Sequence, residues 1–511
     1  MNQGIGQWVH RRRVKSRGKP AVIHRGNITT YDELAERIDR LATALAARGV
    51  VKGDRIAYLG NNHPSFIESL FATASLGAIF VPINTRLAPA EVAYILGNSQ
   101  SSVLIYARSL ESLAASALTL SEFDGRVLVA GDSGAAVLSG IGSELYESFE
   151  DTLESAEATH HTTPIELDDP AMIVYTSGTT GKPKGAVLSN GNITWNSLNV
   201  LVDYDLTSSE QALMIAPLFH VAALGMGCFA TILKGGTVIV EEKFDPGRAL
   251  ELIEQYGVTL VSGVPTTFQL ICEHPNWATT ELSSLRNLTC GGSAVPTRVL
   301  DAYEDRGLGF SQGYGMTETA PGVTSLQPRY SREKAGSVGL PHFFTSVRVA
   351  DSEDSPVGSG VAGEIQAQGP NVIASYWQNP EATAEVFTAD GWLHTGDIGF
   401  FDEDGFLYIA DRSKDMIISG GENIYSAEVE QAIMVFDEIE AVAVIGLPDE
   451  RWGEVPHAVV QLIPGAELDV ERIKAHLREH LARYKVPATF SVIDEMPRTA
   501  SGKIRKNLLR A

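Results

Sequence analysis

Cysteine is scarce in this chain. Cys228, Cys272 and Cys290 stand far apart, odd in number and without CxxC spacing. That pattern argues against a disulfide framework and against structural zinc, and it fits a reducing cytoplasm. Long apolar runs are missing as well. The longest candidate, residues 71–83, is broken by Thr73, Ser75 and Gly77 and is too short to span a bilayer. The N-terminus lacks signal-peptide order: His10, Arg11, Arg12, Arg13 and Lys15 come first, and no adequate apolar segment follows. This basic cluster reads as the solvated face of a first helix, with peripheral membrane contact as its other use. Positive charge is the minority sign, 40 Lys and Arg against 63 Asp and Glu, for a net charge of -23. Such a chain is a poor nucleic-acid partner, and any anion it binds must be met by locally gathered cations.

Within 511 residues, 44% of them hydrophobic, two to four structural units are expected. The first third alternates helix and strand signals. Residues 32–48 carry Leu34, Ile38, Leu41 and Leu45 at helical spacing, with Thr30 as a cap. A strand is expected over 55–59, a helix over 65–77 and a strand over 78–83. This is the texture of layered α/β structure with helices on parallel strands. Residues 147–169 are polar and acidic and read as a surface connection delivering the chain to a strand at 171–175. Strands are expected again at 211–216, 237–241, 260–263 and 288–290. From Gly336 onward short strands (347–350, 364–368, 405–410) suggest a β-rich subdomain. Residues 358–363 match GxGxxG, but no helix signal follows, so a dinucleotide site is rejected. After residue 414 a compact α+β tail is expected: a helix from 427, strands at 441–445 and 458–462, and a helix over 469–483. The expected fold is therefore α/β. A large N-terminal domain (1–411), with layered α/β subdomains and a β-rich one, is followed by a hinge (412–414) and a small mobile α+β domain (415–511).

Residues 175–185 read Tyr-Thr-Ser-Gly-Thr-Thr-Gly-Lys-Pro-Lys-Gly. Gly178 and Gly181 let backbone N–H groups turn inward. Thr176, Ser177, Thr179 and Thr180 add hydroxyls, and Lys182 and Lys184 add charge. Together these make a cradle for polyphosphate. A Walker A loop would need Gly-Lys-Ser/Thr, and here Pro183 follows Lys182. Pro183 also opposes an immediate helix, so a strand–loop–strand element is expected.

Further segments then follow in order: 217–220 (Pro-Leu-Phe-His), 291–294 (Gly-Gly-Ser-Ala), 312–318 (Gln-Gly-Tyr-Gly-Met-Thr-Glu), 392–397 (Trp-Leu-His-Thr-Gly-Asp), 411–412 (Asp-Arg), 420–423 (Gly-Gly-Glu-Asn) and 497–503 (Pro-Arg-Thr-Ala-Ser-Gly-Lys). With the cradle they span nearly the whole chain. In these segments the chain resembles the adenylate-forming superfamily, in its acyl-CoA synthetase branch. It is similar both to bacterial fatty acyl-CoA synthetases and to hydroxycinnamate (feruloyl)-CoA synthetases.

The resemblance implies an AMP-forming acid–CoA ligase. A carboxylate and ATP would give an acyl-adenylate and pyrophosphate, and CoA would then take the acyl group as a thioester. Attack of one anion on another needs strong positive compensation. The resemblance assigns that role to Lys503, with Mg²⁺ held by Glu318 and phosphate contacts from Thr317 and the cradle. Gly292, Ser293, Ala294, Gln312, Gly313, Tyr314 and Gly315 would line the nucleotide, Tyr314 stacking on adenine. Asp397 and Arg412 would hold the ribose. His220 would gate the acyl carboxylate, without proton transfer. Val221, Ala222, Leu224, Met226 and Gly227, with Val264 and Pro265, would line the acid pocket. Gly227 lies seven residues after His220, which in a regular helix puts both on one face. No cation stands in that stretch, so a hydrophobic monocarboxylate is expected. Lys414 falls at the family's hinge, and Ser419, Gly420, Gly421 and Glu422 at its pantetheine tunnel. A ligase loading a carrier protein and a non-catalytic acyl-nucleotide sensor are the alternatives. A monomer or a homodimer would serve.

Overall fold

Strands that read as unbroken apolar runs are those a parallel sheet buries on both faces. The strand Ile79–Ile83 is buried at every position. It pairs in parallel with Arg55–Leu59, which continues through Val103–Ala107 and Arg126–Ala130 to Tyr146–Ser148. On its other side lies Pro170–Thr176, also parallel, and Lys184–Ser189 closes this seven-stranded sheet antiparallel. The computed structural model describes residues 2–131, 146–176, 183–291, 295–412, 415, 417–419, 422–424, 426–449, 452–481, 483–499 and 503–510.

The helices start where the side chains can cap them. Thr30 accepts from Glu33 N–H while the Glu33 carboxylate accepts from Thr30 N–H, opening Tyr31–Ala47. His63 accepts from Ser65 N–H ahead of Pro64–Ser75. These helices bury Leu34, Ile38, Leu41, Phe66, Leu70 and Phe71 in one large core beneath the first sheet.

A second, thirteen-stranded sheet carries the rest of the large domain. Its parallel half runs from Pro20–His24 through Thr237–Val240, Gln211–Met214, Leu260–Gly263 and Asn287–Gly291 to Phe310–Gly315. There the hydrogen bonding turns antiparallel, with Gly322–Leu326 and Ser337–Pro341, and the sheet passes into the β-rich part. That part holds Leu407–Arg412, Leu393–Phe401, Gly363–Gln368 and Ser346–Ala350. The Gly-rich stretch at 358–363 is a loop running into a strand.

The last part has its own sheet and core. Ile417–Ser419 and Glu422–Ile424 form a hairpin joined to the long pair Ile439–Asp449 and Gly453–Leu462, with Thr489–Val492 at the edge. Helices Ser426–Ile433 and Val470–His480 cover it, burying Val429, Ile433, Ile473 and Leu477. The second helix ends before the expected 483, because the N–H of Leu481 closes its last turn and the chain goes extended there.

Two expectations change. The acidic connection is not all surface: Ser148 caps a helix, Phe149–Ser155, whose Phe149 and Leu153 are buried four residues apart. The basic N-terminal helix is also less solvated than its composition suggests. Arg12 donates to the Leu233 carbonyl, Arg11 to that of Asn2, and the His10 side chain is only 10% exposed. Among the described residues, no helix is long and apolar enough to cross a membrane.

Candidate active site

The carboxyl ends of parallel strands are where α/β sheets place ligands. Here Thr176, Gly291 and Gly315 end such strands. The cradle enters along Pro170–Thr176 and leaves along Lys184–Ser189, so it is a strand–loop–strand element with Thr176 opposite Lys184. Ser177, Gly178, Thr179, Thr180, Gly181 and Lys182 lie outside the described residues. So do Gly292, Ser293, Ala294, Lys414, Gly420 and Gly421, while Arg412 and Glu422 are described as backbone only.

The segment 310–322 is the hub. Gln312 is buried, and its amide oxygen accepts from the Val295 N–H at 3.2 Å. A Cβ at Gly315 would sit 1.7 Å from the Pro321 carbonyl oxygen, so only glycine fits. Beyond it, Glu318 is 5% exposed. Its Oε1 accepts from the Tyr376 hydroxyl at 2.8 Å and lies 3.5 Å from Thr176 Oγ1. Burial, with the Glu318 carboxylate second, raises the Tyr376 phenol well above its ordinary range. Lys184 Nζ stands 5.6 Å over the same ring. Cradle, carboxylate and aromatic are thus one cluster. Thr317 begins the short turn that carries Glu318.

The two ribose candidates face each other across a strand pair, Asp397 opposite Arg412. The Tyr314 hydroxyl donates to Asp397 Oδ2 at 2.6 Å, which ties the adenine and ribose candidates together. Gly313 pairs with Gly291 in the neighbouring strand.

His220 ends the loop leaving Gln211–Met214. Asn62, buried, clamps this loop: it donates to the Met214 and Ala216 carbonyls and accepts from Leu218 N–H at 2.7 Å. His220 Nε2 is buried without a hydrogen-bond partner. Burial, then the charges of Arg86 and Lys503, lower the ring's pKa to about 4. The ring is therefore neutral at pH 7. Lys503, in the C-terminal part of the chain, is thus near enough for its charge to be felt at His220 in the large domain.

The acid pocket differs from the sequence expectation. The helix after His220 changes pitch: Val221–Ala223 is followed by a π-helical segment, Leu224–Cys228. The wider turn breaks the seven-residue register. Ala222 is exposed and Met226 and Val264 are half-buried, whereas Val221, Leu224 and Pro265 are buried. Leu224 is wholly inside the main core. Gly227 faces the sheet, where a Cβ would lie 2.6 Å from Met214 Cε. Val221, Leu224 and Gly227 are therefore packed inside, and of this expected set Ala222, Met226 and Val264 keep exposed surface. No cation stands in this stretch of sequence, but the fold brings in Arg86 and Lys503.

In the small domain Ser419 pairs with Glu422 across a hairpin tip. Sequence reasoning missed Tyr376, Arg86 and Asn62. Tyr376 had a faint signal, an adjacent aromatic pair with Trp377 after a strand-like stretch. Arg86 and Asn62 had none, since their partners lie more than a hundred residues away.

The family model for AMP-binding enzymes matches residues 9–377, and that for the C-terminal domain of AMP-binding enzymes matches 428–503. The chain is 50% identical to a feruloyl-CoA synthase of Amycolatopsis, covering 100% of this chain and 99% of that protein. It is 36% identical to a long-chain-fatty-acid–CoA ligase of Mycobacterium tuberculosis, over 94% of this chain and 92% of the other. The solved o-succinylbenzoate CoA synthetase of Bacillus subtilis, in complex with its acyl-adenylate, superposes with a TM-score of 0.87 at 32% identity, covering 99% and 98% of the two chains. The chain belongs to the AMP-binding enzyme family, in the acyl-CoA synthetase branch of the adenylate-forming superfamily. It is an AMP-forming acid–CoA ligase that uses ATP, a carboxylic acid and CoA.

Proposed function

We propose that the acid is an aryl or hydroxycinnamic-type monocarboxylate rather than a long-chain fatty acid. The full-length 50% identity to a feruloyl-CoA synthase supports this, against 36% to a fatty-acid ligase. The small side chain of Ala222 beside His220, with Met226 and Val264, suits a flat apolar body.

The observation that carries the adenylation reading is the charge of Lys503 bearing on His220. Lys503 would sit between the carboxylate and the α-phosphate and offset the repulsion between two anions. Neutral His220 would border the acyl carboxylate and keep water from it, with no proton to transfer. Thr176, Thr317, Lys184 and the cradle residues Ser177 to Lys182 would hold phosphates, alongside Gly292, Ser293 and Ala294. Tyr314 would lie against adenine, and Asp397 with Arg412 would take the ribose hydroxyls. Glu318, a buried carboxylate fixed by Tyr376, is an oxygen donor of the kind Mg²⁺ selects. Bound there, Mg²⁺ would neutralise phosphate charge. Lys414 would be the pivot and the 419–422 hairpin the wall of the pantetheine channel, in a cytoplasmic enzyme.

The test is pyrophosphate release over ferulic, cinnamic, benzoic and fatty acids, with and without CoA, plus an aromatic dicarboxylate to probe Arg86. Highest kcat/KM with ferulic or cinnamic acid is expected. A preference for long-chain fatty acids would overturn the substrate assignment and leave the ligase activity standing.

A further inference from the structure

We propose that His10, Asp39 and His160 form a binding site for a divalent first-row transition ion of the zinc class, on the side of the N-terminal helices. The three side chains come from three elements: the helix Trp8–Lys15, the helix Tyr31–Ala47 and the connection that leads to Pro170–Thr176. His10 Nε2 and His160 Nδ1 each lie 3.5 Å from the same oxygen, Asp39 Oδ1. The three donor atoms lie within 4.8 Å of one another.

These separations are too long for good hydrogen bonds. They are close to a coordination edge: two ligands about 2.0–2.1 Å from a tetrahedral zinc stand roughly 3.3–3.4 Å apart. His10 Nε2 and Asp39 Oδ1 are both buried with no hydrogen-bond partner, and their side chains are 10% and 3% exposed. A buried imidazole nitrogen and a buried carboxylate oxygen that meet only at 3.5 Å are poorly satisfied, and a cation between them, with Nε2 unprotonated, would meet both. Arg13 Nη1, 3.9 Å from Oδ2, attends the other oxygen and leaves Oδ1 to the site.

The third ligand is anchored and reachable. His160 is 40% exposed, which gives an ion a route from solvent and leaves room for a water ligand. The next residue, His161, is held by Thr43 Oγ1 at 3.1 Å, and its carbonyl accepts from Gln7 at 3.1 Å. Two imidazoles and one carboxylate suit zinc, cobalt or nickel far better than the hard ion expected at Glu318.

A second cluster, His24, His63 and Glu242, shows what disqualifies such a group. Arg25 already occupies Glu242 Oε1 at 2.8 Å. His63 Nδ1 accepts from Ser65 N–H, which in a neutral ring places the proton on Nε2. In the His10 cluster the nearby cation, Arg13, stands 3.9 Å from Asp39 Oδ2 and not on Oδ1.

The experiment uses the full-length enzyme, chelator-stripped, nucleotide-free and in excess Mg²⁺ so that hard-ion sites are filled. Zn²⁺ is titrated by calorimetry, and Co²⁺ is followed by visible absorption. One ion per chain is expected, with the strong d–d bands of four-coordinate Co²⁺ and a rise in Tm on adding Zn²⁺. His160→Ala, on an exposed side chain, should fold normally by circular dichroism and bind at least about tenfold more weakly, as should Asp39→Asn. Absence of saturable Zn²⁺ binding overturns the site. So does binding that is unchanged in both variants.

Discussion

Lys503 is the residue on which the first half-reaction is expected to turn. Lys503→Ala should lower acyl-adenylate formation by roughly 10²–10³-fold, the usual cost of one charge-stabilising donor. The same variant supplied with pre-formed acyl-adenylate should still make thioester at near wild-type rate. Equal loss in both assays would place the lysine outside the chemistry. If Glu318 holds Mg²⁺ as proposed, Tyr376 is a positioning residue acting through it, since Glu318 Oε1 accepts the Tyr376 hydroxyl at 2.8 Å. A hydrogen bond to a charged group contributes about 1.5–3 kcal/mol. Tyr376→Phe should therefore raise the Mg²⁺ concentration needed for half-maximal pyrophosphate release, with little change in the KM for the acid. Titration at this scale also sets acid stability. His63 and His220 both have pKa values lowered to about 4 from 6.5, chiefly by burial. Their neutral forms are the ones the fold accommodates. Their contribution is complete above pH 6.5, declines as pH falls from there, and is gone below about 4. Tm should fall between pH 7 and 5. His63→Asn, which keeps a helix cap without a titrating ring, should flatten that slope. An unchanged slope would show that other groups set it.

Among the elements, the π-helical segment Leu224–Cys228 sets which side chains after His220 are buried and which keep exposed surface. A Cβ at Gly225 would lie 2.4 Å from Pro321 Cδ and 2.8 Å from the Ala320 carbonyl oxygen. This glycine is therefore the contact that seats the segment on the hub carrying Glu318. Gly225→Ala should destabilise by about 1–3 kcal/mol through overpacking, read as a lower urea midpoint. Ala222→Leu adds volume at the exposed position beside His220. It should shift kcat/KM against bulky acids, by roughly 1–3 kcal/mol of discrimination for a methylene-sized mismatch, while leaving short acids and the urea midpoint little changed. Loss for every acid alike would move the opening elsewhere. The element boundaries themselves were largely legible. The strand at 55–59 and the Thr30 cap follow from local apolar spacing and side-chain capping, which need no distant partner. The π turn was not legible: local apolar spacing predicts a regular helix there, and the segment packs Gly225 against Pro321, almost a hundred residues on.

At the scale of the molecule, the charge of Lys503, in the C-terminal part, is felt at His220 in the large domain, as the proposed adenylation arrangement would need. On the proposed two-step cycle, the 419–422 segment would take its place for thioester formation, through a pivot at Lys414. Lys414→Pro, which fixes φ at the pivot, should spare pyrophosphate release and sharply reduce thioester formation from pre-formed adenylate. A variant competent in both halves would place the pivot elsewhere.

The sequence by itself determined the class of this enzyme. Backbone-binding glycines, hydroxyls, paired lysines and the ordered run of motifs through Lys503 are chemistry written locally, and each needs its residue types at fixed spacing. It also determined the layered α/β fold, because apolar periodicity reports which face of an element is buried. Only the tertiary structure decided that Glu318 leans on Tyr376, that the charge of Arg86 is felt at His220, that Gly227 faces Met214, and that His10 is buried against Asp39 instead of lying on a solvated face. Each of these depends on which distant strand or helix lies alongside. Sheet order and the close approach of backbones set that, and a linear pattern of residue types does not encode it.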